Sequence, residues 1–311
     1  MRSFFCPLNS YYFCRLLILA VVAILAAPAG GETISRARYL MGTACEIEAY
    51  GNNKPSVDSA IDQAFDEIGR LEDIMSLFIE TSEVSRLERE SPGVSVVCSP
   101  ELFEVLEIAE QVRRETDGAF DVTLGKAKFE LDPTHRTIVV RSHIKSSPSP
   151  LVGEGRVRGL RVDLGGIGKG YALDRVGKVL LEGGVKGARL NFGGQVLVVG
   201  QPPPPSRGWK VAVASPDGKS AATEVWLKSS SLSTSSNFSR PHVLNPVTGR
   251  PVGWKGSVSV VAPTATLADA YSTALLVMGK VKGGEWVASR KGLQVFFQEE
   301  QDHISIRREK K

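Results

Sequence analysis

Residues 162–170 hold the densest group of residues that could do chemistry in this 311-residue chain. They read Val-Asp-Leu-Gly-Gly-Ile-Gly-Lys-Gly, which predicts a strand that ends at Asp163, a glycine-rich turn and a helix that begins near Lys169. Backbone N–H groups at a helix start, together with one lysine, can bind a phosphate or another anion. The alternative is a tight structural turn with a surface lysine. The segment is not a P-loop, because Gly170 follows Lys169, and it is not GxGxxG.

A carboxylate and a hydroxyl stand four residues apart in a second segment, at Asp269 and Thr273. Both fall in the first turns of a helix predicted over residues 266–278, and this spacing puts them on one helix face. Oxygen ligands suit a hard cation such as Mg²⁺, which often keeps a phosphate in its coordination shell. The alternative is an aspartate favoured by the helix dipole beside a threonine that only packs.

Two loops carry further candidates. His242, one of four histidines, lies in the run Pro-His-Val-Leu-Asn-Pro of residues 241–246. It could act as a general base near neutral pH, or it could be a histidine hydrogen-bonded to backbone within a turn. Residues 116–123 place two acids in one turn, for which an ordinary helix-to-strand loop is the alternative. No Ser–His–Asp or Cys–His order is apparent in the chain.

The elements that must position these residues alternate irregularly between helix and strand. Apolar periodicity predicts helices over residues 57–74, after Ser99-Pro100, over 169–181 and 266–278, and around Trp286. Predicted strands cover residues 45–50, 138–141, 160–164, 189–199, 209–214, 224–228, 257–262, 293–297 and 304–307. Adjacent strand pairs favour an α+β fold, a single domain with largely antiparallel sheets and packed helices. Residues 146–158 are predicted to be a surface insertion and residues 201–207 a polyproline connector within that domain.

Residues 1–29 have the pattern of an export signal. Arg2 and Arg15 precede the apolar run of residues 16–27, and Ala-Pro-Ala follows at 27–29. A spanning helix needs about 20 apolar residues, so a cleaved signal is favoured over a retained anchor. We therefore expect a mature domain of residues 30–311, exported to the periplasm or to the outer face of the inner membrane.

The composition and net charge of the chain exclude some classes of protein. Hydrophobic residues make up 42% and charged residues 23%, which excludes wholesale disorder. A net charge of +4 is too small to indicate a nucleic-acid partner. Beyond the signal only Cys45 and Cys98 remain, and two separate small apolar residues are preferred over a disulfide.

Taken together and in order, seven segments resemble the ApbE family, the FAD:protein FMN transferases. They are residues 41–43, 75–87, 118–123, 163–174, 191–194, 242–249 and 268–274. The resemblance runs from about Tyr39 to about Phe297. It implies an enzyme that cleaves the pyrophosphate of FAD, transfers FMN to a Ser or Thr hydroxyl of an exported or membrane redox protein, and releases AMP. Acceptors in the family include subunits of sodium-pumping or electron-bifurcating complexes and exported flavin-bearing reductases.

The resemblance also implies roles for individual residues. Asp269, Thr273 and the backbone oxygen of Gly166 would hold Mg²⁺, and His242 would be the base for the acceptor hydroxyl. The FAD site would be lined by Met41, Phe78, Ala119, Phe120, Asp121, Asp163, Lys169 and Leu244. The partners implied are thus FAD and a protein acceptor.

The chain departs from the family pattern at a few positions. Phe78 stands where the family usually has an aromatic residue that carries a hydroxyl, Gln195 replaces an acid, and Asn245 replaces an aspartate. Ser235-Ser236 stands near a usual Ser-Gly pair, the loop before His242 is short, and the segment after Thr123 is compressed and interrupted. Two other functions stay open at this point. One is an exported FAD-binding protein or FAD pyrophosphatase, with water in place of the protein acceptor. The other is a non-catalytic exported binding protein.

Overall fold

The computed structural model of the chain describes residues 31–142, 162–206, 208–215, 220–238, 243–299 and 305–308. The expected export signal, the insertion of residues 146–158 and His242 lie outside these residues. Within them, the strands are β1 (Glu32–Leu40), β2 (Thr43–Gly51), β3 (Ser95–Val97), β4 (Ala127–Asp132), β5 (Thr137–Ser142), β6 (Gly187–Phe192), β7 (Gln195–Gly200), β8 (Trp209–Ala214), β9 (Ala221–Leu227), β10 (Ser230–Ser236), β11 (Gly256–Ala262), β12 (Gln294–Glu299) and β13 (Ser305–Arg308). The helices are α1 (Lys54–Met75), α2 (Glu83–Arg89), α3 (Pro100–Glu115), α4 (Gly168–Glu182) and α5 (Ala265–Ala288).

Eight strands form the main sheet, in the order β1-β2-β6-β7-β10-β11-β12-β13. A three-stranded sheet, β3-β5-β4, and a two-stranded sheet, β8-β9, complete the strands of the described residues. Every strand pair among them is antiparallel. The prediction of an α+β fold with largely antiparallel sheets and packed helices is confirmed.

Helices α1, α4 and α5 cover one face of the main sheet. Asn53 starts α1 by accepting the backbone N–H of Ser56 at 3.1 Å, and Pro55 suits the first turn. The buried stripe of this helix includes Val57, Ile61, Phe65, Ile68 and Leu71. Because these residues recur every three or four positions, one side of the helix packs into the core while the other faces solvent.

The opposite face of the sheet is covered in part by β8 and β9. A second apolar cluster there joins Val198 of β7 and Leu232 of β10 to the inner residues of the small sheet, Trp209, Val211, Val213, Val225 and Leu227. Strands β7 and β10 are therefore buried on both faces. The serine hydroxyls of β10 therefore need hydrogen-bond partners within the protein.

Two local predictions differ from the structure. Residues 162–164 are extended but belong to no strand, because the Asp163 N–H bonds the carbonyl of Val122 rather than a neighbouring strand. The single strand predicted over residues 189–199 is the hairpin β6–β7. Its turn is Gly193-Gly194, with φ of 59° and 91°, the positive values that a two-residue hairpin favours. The two helices predicted at 266–278 and around Trp286 are confirmed: they are the two parts of α5, and Gly279, with a φ of 75° and a ψ of 175°, interrupts the helix between them.

Cys45 and Cys98 are both free and buried, as expected for two separate apolar residues. Burial raises the pKa of the Cys45 thiol to about 12 and that of Cys98 to about 11. Both thiols are therefore protonated and unreactive at neutral pH. Among the described residues, no helix is both long and apolar enough to cross a bilayer.

Candidate active site

The site is built where the first turns of α4 and α5 cross. The crossing is close because Gly170 has no side chain: a Cβ there would lie 2.3 Å from the carbonyl oxygen of Ala265 and 2.8 Å from the Cα of Thr266. A glycine at this position lets the two backbones touch. The turn of residues 165–167, which precedes α4, is thereby brought against the first turns of α5.

Each of the two helices also supplies a carboxylate to the start of the other. Asp174 of α4 accepts the N–H of Ala265 at 2.7 Å, and the N–H and hydroxyl of Thr266 at 2.8 and 2.5 Å. Asp269 of α5 accepts the N–H of Gly170 at 3.1 Å. Free N–H groups at a helix start are thus satisfied by a side chain of the partner helix. This exchange fixes the axial position of each helix relative to the other.

Asp269 lies in a buried polar environment, only 5% exposed. Burial raises the pKa of its carboxyl group, and the Lys169 charge, the Gly170 N–H and the Ser233 hydroxyl oppose that rise without cancelling it. The Ser233 Oγ lies 3.4 Å from Asp269 Oδ1. A buried carboxylate with so little compensation favours a cation or a proton beside it.

Thr273 lies one turn after Asp269 on the same face, as its spacing predicts. Its Oγ1 lies 3.1 Å from the Ser235 Oγ of β10. A Cβ on Gly166 would lie 2.9 Å from the same Oγ1 and 3.3 Å from the Phe120 ring. Gly166, Thr273, Asp269 and Phe120 are therefore brought together, and the glycine leaves space beside the hydroxyl.

The glycine-rich turn is held by its own polar groups. The Asp163 carboxylate accepts the N–H of Gly165 at 2.9 Å, and the Lys169 ammonium donates to the carbonyl of Gly165 at 3.0 Å. The Asp163 N–H donates to the Val122 carbonyl at 2.7 Å and joins the turn to the loop of residues 116–125. Asp163 and Lys169 thus lie beside the pocket, on the side of Phe120.

The loop of residues 116–125 is closed by Asp121. Its carboxylate accepts the N–H and the hydroxyl of Thr123, both at 2.7 Å, and the N–H of Gly125 at 3.2 Å. Ala119 and Phe120 are buried in the same loop. A Cβ on Gly125 would lie 2.3 Å from the Pro246 carbonyl, so the loop that follows His242 packs directly against this one.

Asn245 organises that second loop. Its amide oxygen accepts the N–H groups of Val247 and Thr248 at 2.9 and 3.1 Å, and its own N–H donates to the Arg250 carbonyl at 2.8 Å. An aspartate would supply the same acceptor, so the asparagine preserves the turn. Leu244 forms a bridge to Pro251 in the same loop. His242 precedes this anchored segment and lies outside the described residues.

Met41 and Phe78 belong to two loops outside the α4–α5 crossing. Met41 and Gly42 are the two-residue turn of the β1–β2 hairpin, with φ of 44° and 75°. This turn is next to the Gly193-Gly194 turn, since a Cβ on Gly193 would lie 2.9 Å from the Thr43 side chain. The Phe78 side chain is 95% exposed on the loop after α1 and makes no close packing with the other predicted residues.

Sequence reasoning missed several polar residues of the site. No strand is predicted over residues 230–236, and Ser235-Ser236 is noted only as a departure from the family pattern, so the contacts of Ser233 and Ser235 with α5 are not predicted. Their spacing of two is the signal that could have found them, since alternate residues of a strand share a face. Gln195 is 2% exposed, donates from Nε2 to the Ala265 carbonyl at 2.7 Å, and leaves its Oε1 without a protein partner.

The residues present fit a hard cation with few protein ligands. No cluster of three or more His, Cys, Asp or Glu side chains that could hold a metal occurs in the described part of the chain. What the pocket offers is one buried carboxylate, the hydroxyl of Thr273 with those of Ser233 and Ser235 behind it, and backbone oxygens. Such a donor set resembles a site in which one or two protein groups and substrate phosphates share the cation.

The fold and this pocket define an α+β protein with a buried carboxylate at the meeting point of two helix starts. The chain belongs to the ApbE family, whose model matches residues 41–297. It is 25% identical to the FAD:protein FMN transferase of Treponema pallidum, over 93% of this chain and 92% of that protein. It is 29% identical to the FAD:protein FMN transferase of Escherichia coli K12, over 64% of each.

Solved structures share this fold. The apo flavinyl transferase ApbE of Pseudomonas stutzeri aligns with a TM-score of 0.75 at 21% identity, over 90% of this chain and 95% of that one. The ApbE protein of Thermotoga maritima aligns with a TM-score of 0.75 at 24% identity, over 90% and 97%. The main sheet and the crossed helices are therefore the architecture of this family.

Proposed function

We propose that this chain is an FAD:protein FMN transferase that uses Mg²⁺ to transfer FMN from FAD to a Ser or Thr hydroxyl of an exported redox protein. The observation that carries this proposal is the juxtaposition of Asp269, Thr273 and Gly166 at the α4–α5 crossing. Family membership supplies the transferase chemistry, and the pocket supplies groups suited to it. When bound, Mg²⁺ would neutralise charge on the pyrophosphate.

In the proposed reaction, some residues bind the pyrophosphate and the cation, and one residue activates the acceptor hydroxyl. The acceptor hydroxyl oxygen forms a bond to the FMN phosphorus, the bond from that phosphorus to the bridging oxygen breaks, and AMP leaves with that oxygen. The Lys169 charge would bind phosphate oxygens, whereas the N–H groups of Gly168 and Gly170 at the α4 start already have acceptors in Leu164 and Asp269. Asp269, Thr273 and the backbone oxygen of Gly166 would hold the cation. Catalysis therefore relies mainly on position and electrostatics.

The hydroxyl of the acceptor has a high pKa and needs a base. His242 is the base in this proposal, on the strength of the family resemblance. Its support in this chain is the anchored segment that follows it, which packs through Pro246 onto Gly125 of the Asp121 loop. Met41, Phe78 and Leu244 would contact the flavin end of FAD, where exposed Phe78 has a free ring for stacking.

The location of the protein follows from the same proposal. A cleaved signal of residues 1–29 would deliver the chain to the periplasm or to the outer face of the inner membrane. The acceptor would then be an exported protein or a membrane-complex subunit.

The experiment uses purified residues 30–311 with FAD, Mg²⁺ and an acceptor domain with a flavinylation Ser or Thr. In-gel flavin fluorescence reports transfer and chromatography reports AMP. Asp269→Ala and His242→Ala should each lose the fluorescent acceptor, while Asp73→Ala, at an exposed position of α1, should keep it. AMP without fluorescent acceptor would instead identify an FAD pyrophosphatase. FAD binding with neither product would refute the transferase.

A further inference from the structure

Three hydroxyl groups form a continuous chain beneath the first turns of α5. Thr273 Oγ1 lies 3.1 Å from Ser235 Oγ, and Ser235 Oγ lies 2.8 Å from Ser272 Oγ. The Ser272 hydroxyl lies 2.9 Å from the backbone carbonyl of Asp269. Ser272 is fully buried, so no water competes for these contacts at that end.

The directions of the hydrogens in this chain follow from counting. Each hydroxyl has one hydrogen to donate, and a carbonyl oxygen only accepts. Ser272 must donate to the Asp269 carbonyl, because that contact has no other source of a hydrogen. Ser235 must then donate to Ser272, and Thr273 must donate to Ser235. Any other assignment leaves two oxygens in close contact with no hydrogen between them.

The consequence for Thr273 is that its hydrogen is directed away from the pocket. Its remaining lone pairs are left for a ligand, on an oxygen beside which Gly166 leaves room. A free lone pair attracts a cation, whereas a phosphate oxygen would need a donated hydrogen. We propose that Ser235, with Ser272, is a positioning residue that makes Thr273 a cation ligand rather than a donor to phosphate. This rests on the proposed function and deepens it.

The register of β10 explains why Ser235 is in this position. Residues 231, 233 and 235 share one face of the strand, and the hydroxyls of Ser233 and Ser235 are directed at α5. Thr234 is on the other face, where its hydroxyl lies 2.7 Å from Ser259 of β11. Thr234→Val is therefore a matched control, because it removes a hydroxyl pair from the same strand and leaves the chain of hydroxyls intact.

The test measures Mn²⁺ binding to residues 30–311 by electron paramagnetic resonance, with FAD present and no acceptor. Ser235→Ala should weaken Mn²⁺ binding about tenfold or more, as removal of a group that orients a metal ligand does. Ser235→Thr should restore most of the affinity, and Thr234→Val should leave it unchanged. In turnover, Ser235→Ala should raise the Mg²⁺ concentration needed for half-maximal rate by a larger factor than it lowers kcat at saturating Mg²⁺.

A double-mutant cycle separates orientation from structural support. In a Thr273→Val background, Ser235→Ala should have little further effect, because the hydroxyl that it orients is gone. Wild-type affinity in Ser235→Ala, or the same loss in both backgrounds, would overturn the proposal. So would a wild-type protein that binds no Mn²⁺, even if it transfers FMN. A protein that binds Mn²⁺ with the expected differences but transfers no FMN would leave this proposal standing and refute the transferase.

Discussion

Gly170→Ala should separate the two helices whose crossing builds the site. The added Cβ would lie 2.3 Å from the Ala265 carbonyl oxygen, 2.7 Å from its carbonyl carbon and 2.8 Å from the Thr266 Cα. All three are backbone atoms, so no side-chain rotation relieves the overlap. The helices must move apart by about 1 Å, since ordinary contacts between carbon atoms begin near 3.5 Å.

Three contributions set the change that Gly170→Ala makes in the free energy of unfolding. Overpacking of this kind costs about 1–3 kcal/mol. The hydrogen bond from the Gly170 N–H to the Asp269 carboxylate, 3.1 Å long, is stretched and loses part of the roughly 1.5–3 kcal/mol that a bond to a charged group contributes. The gain in helix propensity from glycine to alanine returns about 1 kcal/mol. We expect a net loss of about 2–4 kcal/mol in the free energy of unfolding.

The assay is urea unfolding followed by circular dichroism, paired with the rate of FMN transfer. Gly168→Ala is the matched control, because a Cβ there meets only the Leu164 side chain at an ordinary 3.7 Å. That variant should be as stable as the natural chain or slightly more so. The Gly170→Ala rate should fall on the order of 100-fold even where the protein is folded, because Asp269 and Thr273, the proposed cation ligands, are displaced. Equal stability of the two variants would refute the close crossing as the origin of the site.

Three further results are expected. Asp269→Asn should raise the melting temperature of the metal-free protein at pH 8 and abolish transfer. Burial raises the pKa of Asp269, so the natural chain loses stability as the pH rises through that pKa, whereas asparagine has no charge to bury. The difference should shrink at acidic pH in differential scanning fluorimetry, and a lower melting temperature at pH 8 would contradict the reasoning. Asp174→Ala should lower the free energy of unfolding in urea by about 2 kcal/mol, since three donors at the α5 start lose their acceptor. An unfolding midpoint equal to that of the natural chain would show that this helix cap is dispensable. Cys45 and Cys98 should resist maleimide at pH 8 until the protein is unfolded, and rapid labelling of the native chain, followed by mass spectrometry, would show that burial does not protect them.

The sequence predicted the site better where helices carry it than where strands and loops do. The spacing of Asp269 and Thr273 and the glycine-rich start of α4 were sufficient, because both signals are local. The strand predicted at 160–164 is wrong for residues 162–164, because the Asp163 N–H finds its acceptor at Val122, a contact that only the tertiary fold creates. Apolar periodicity reports only local structure and carries no information about such a contact.

The buried polar residues beneath the pocket could not be predicted from local sequence either, because their burial also depends on tertiary contacts. The serines of β10 match the pattern of a solvent-facing strand, yet Ser233 is 3% exposed because α5 lies across it. Gln195 could be identified as a departure from the family but not as a buried group that bonds the α5 start. Residues of this kind derive their role from the helix that covers them.

The small sheet of β8 and β9 has a consequence for motion. Because it covers the face of β7 and β10 that points away from the site, the strands beneath Asp269 are enclosed on both sides. Their amide hydrogens should exchange with solvent only when the whole domain opens, whereas those of the Met41-Gly42 turn and of the loop around exposed Phe78 should exchange through local opening. The site thus combines a rigid floor of strands with a compliant rim, the two loops of Met41 and Phe78 that would line the FAD site. Variation in the rim can therefore change which molecules enter without disturbing the geometry beneath.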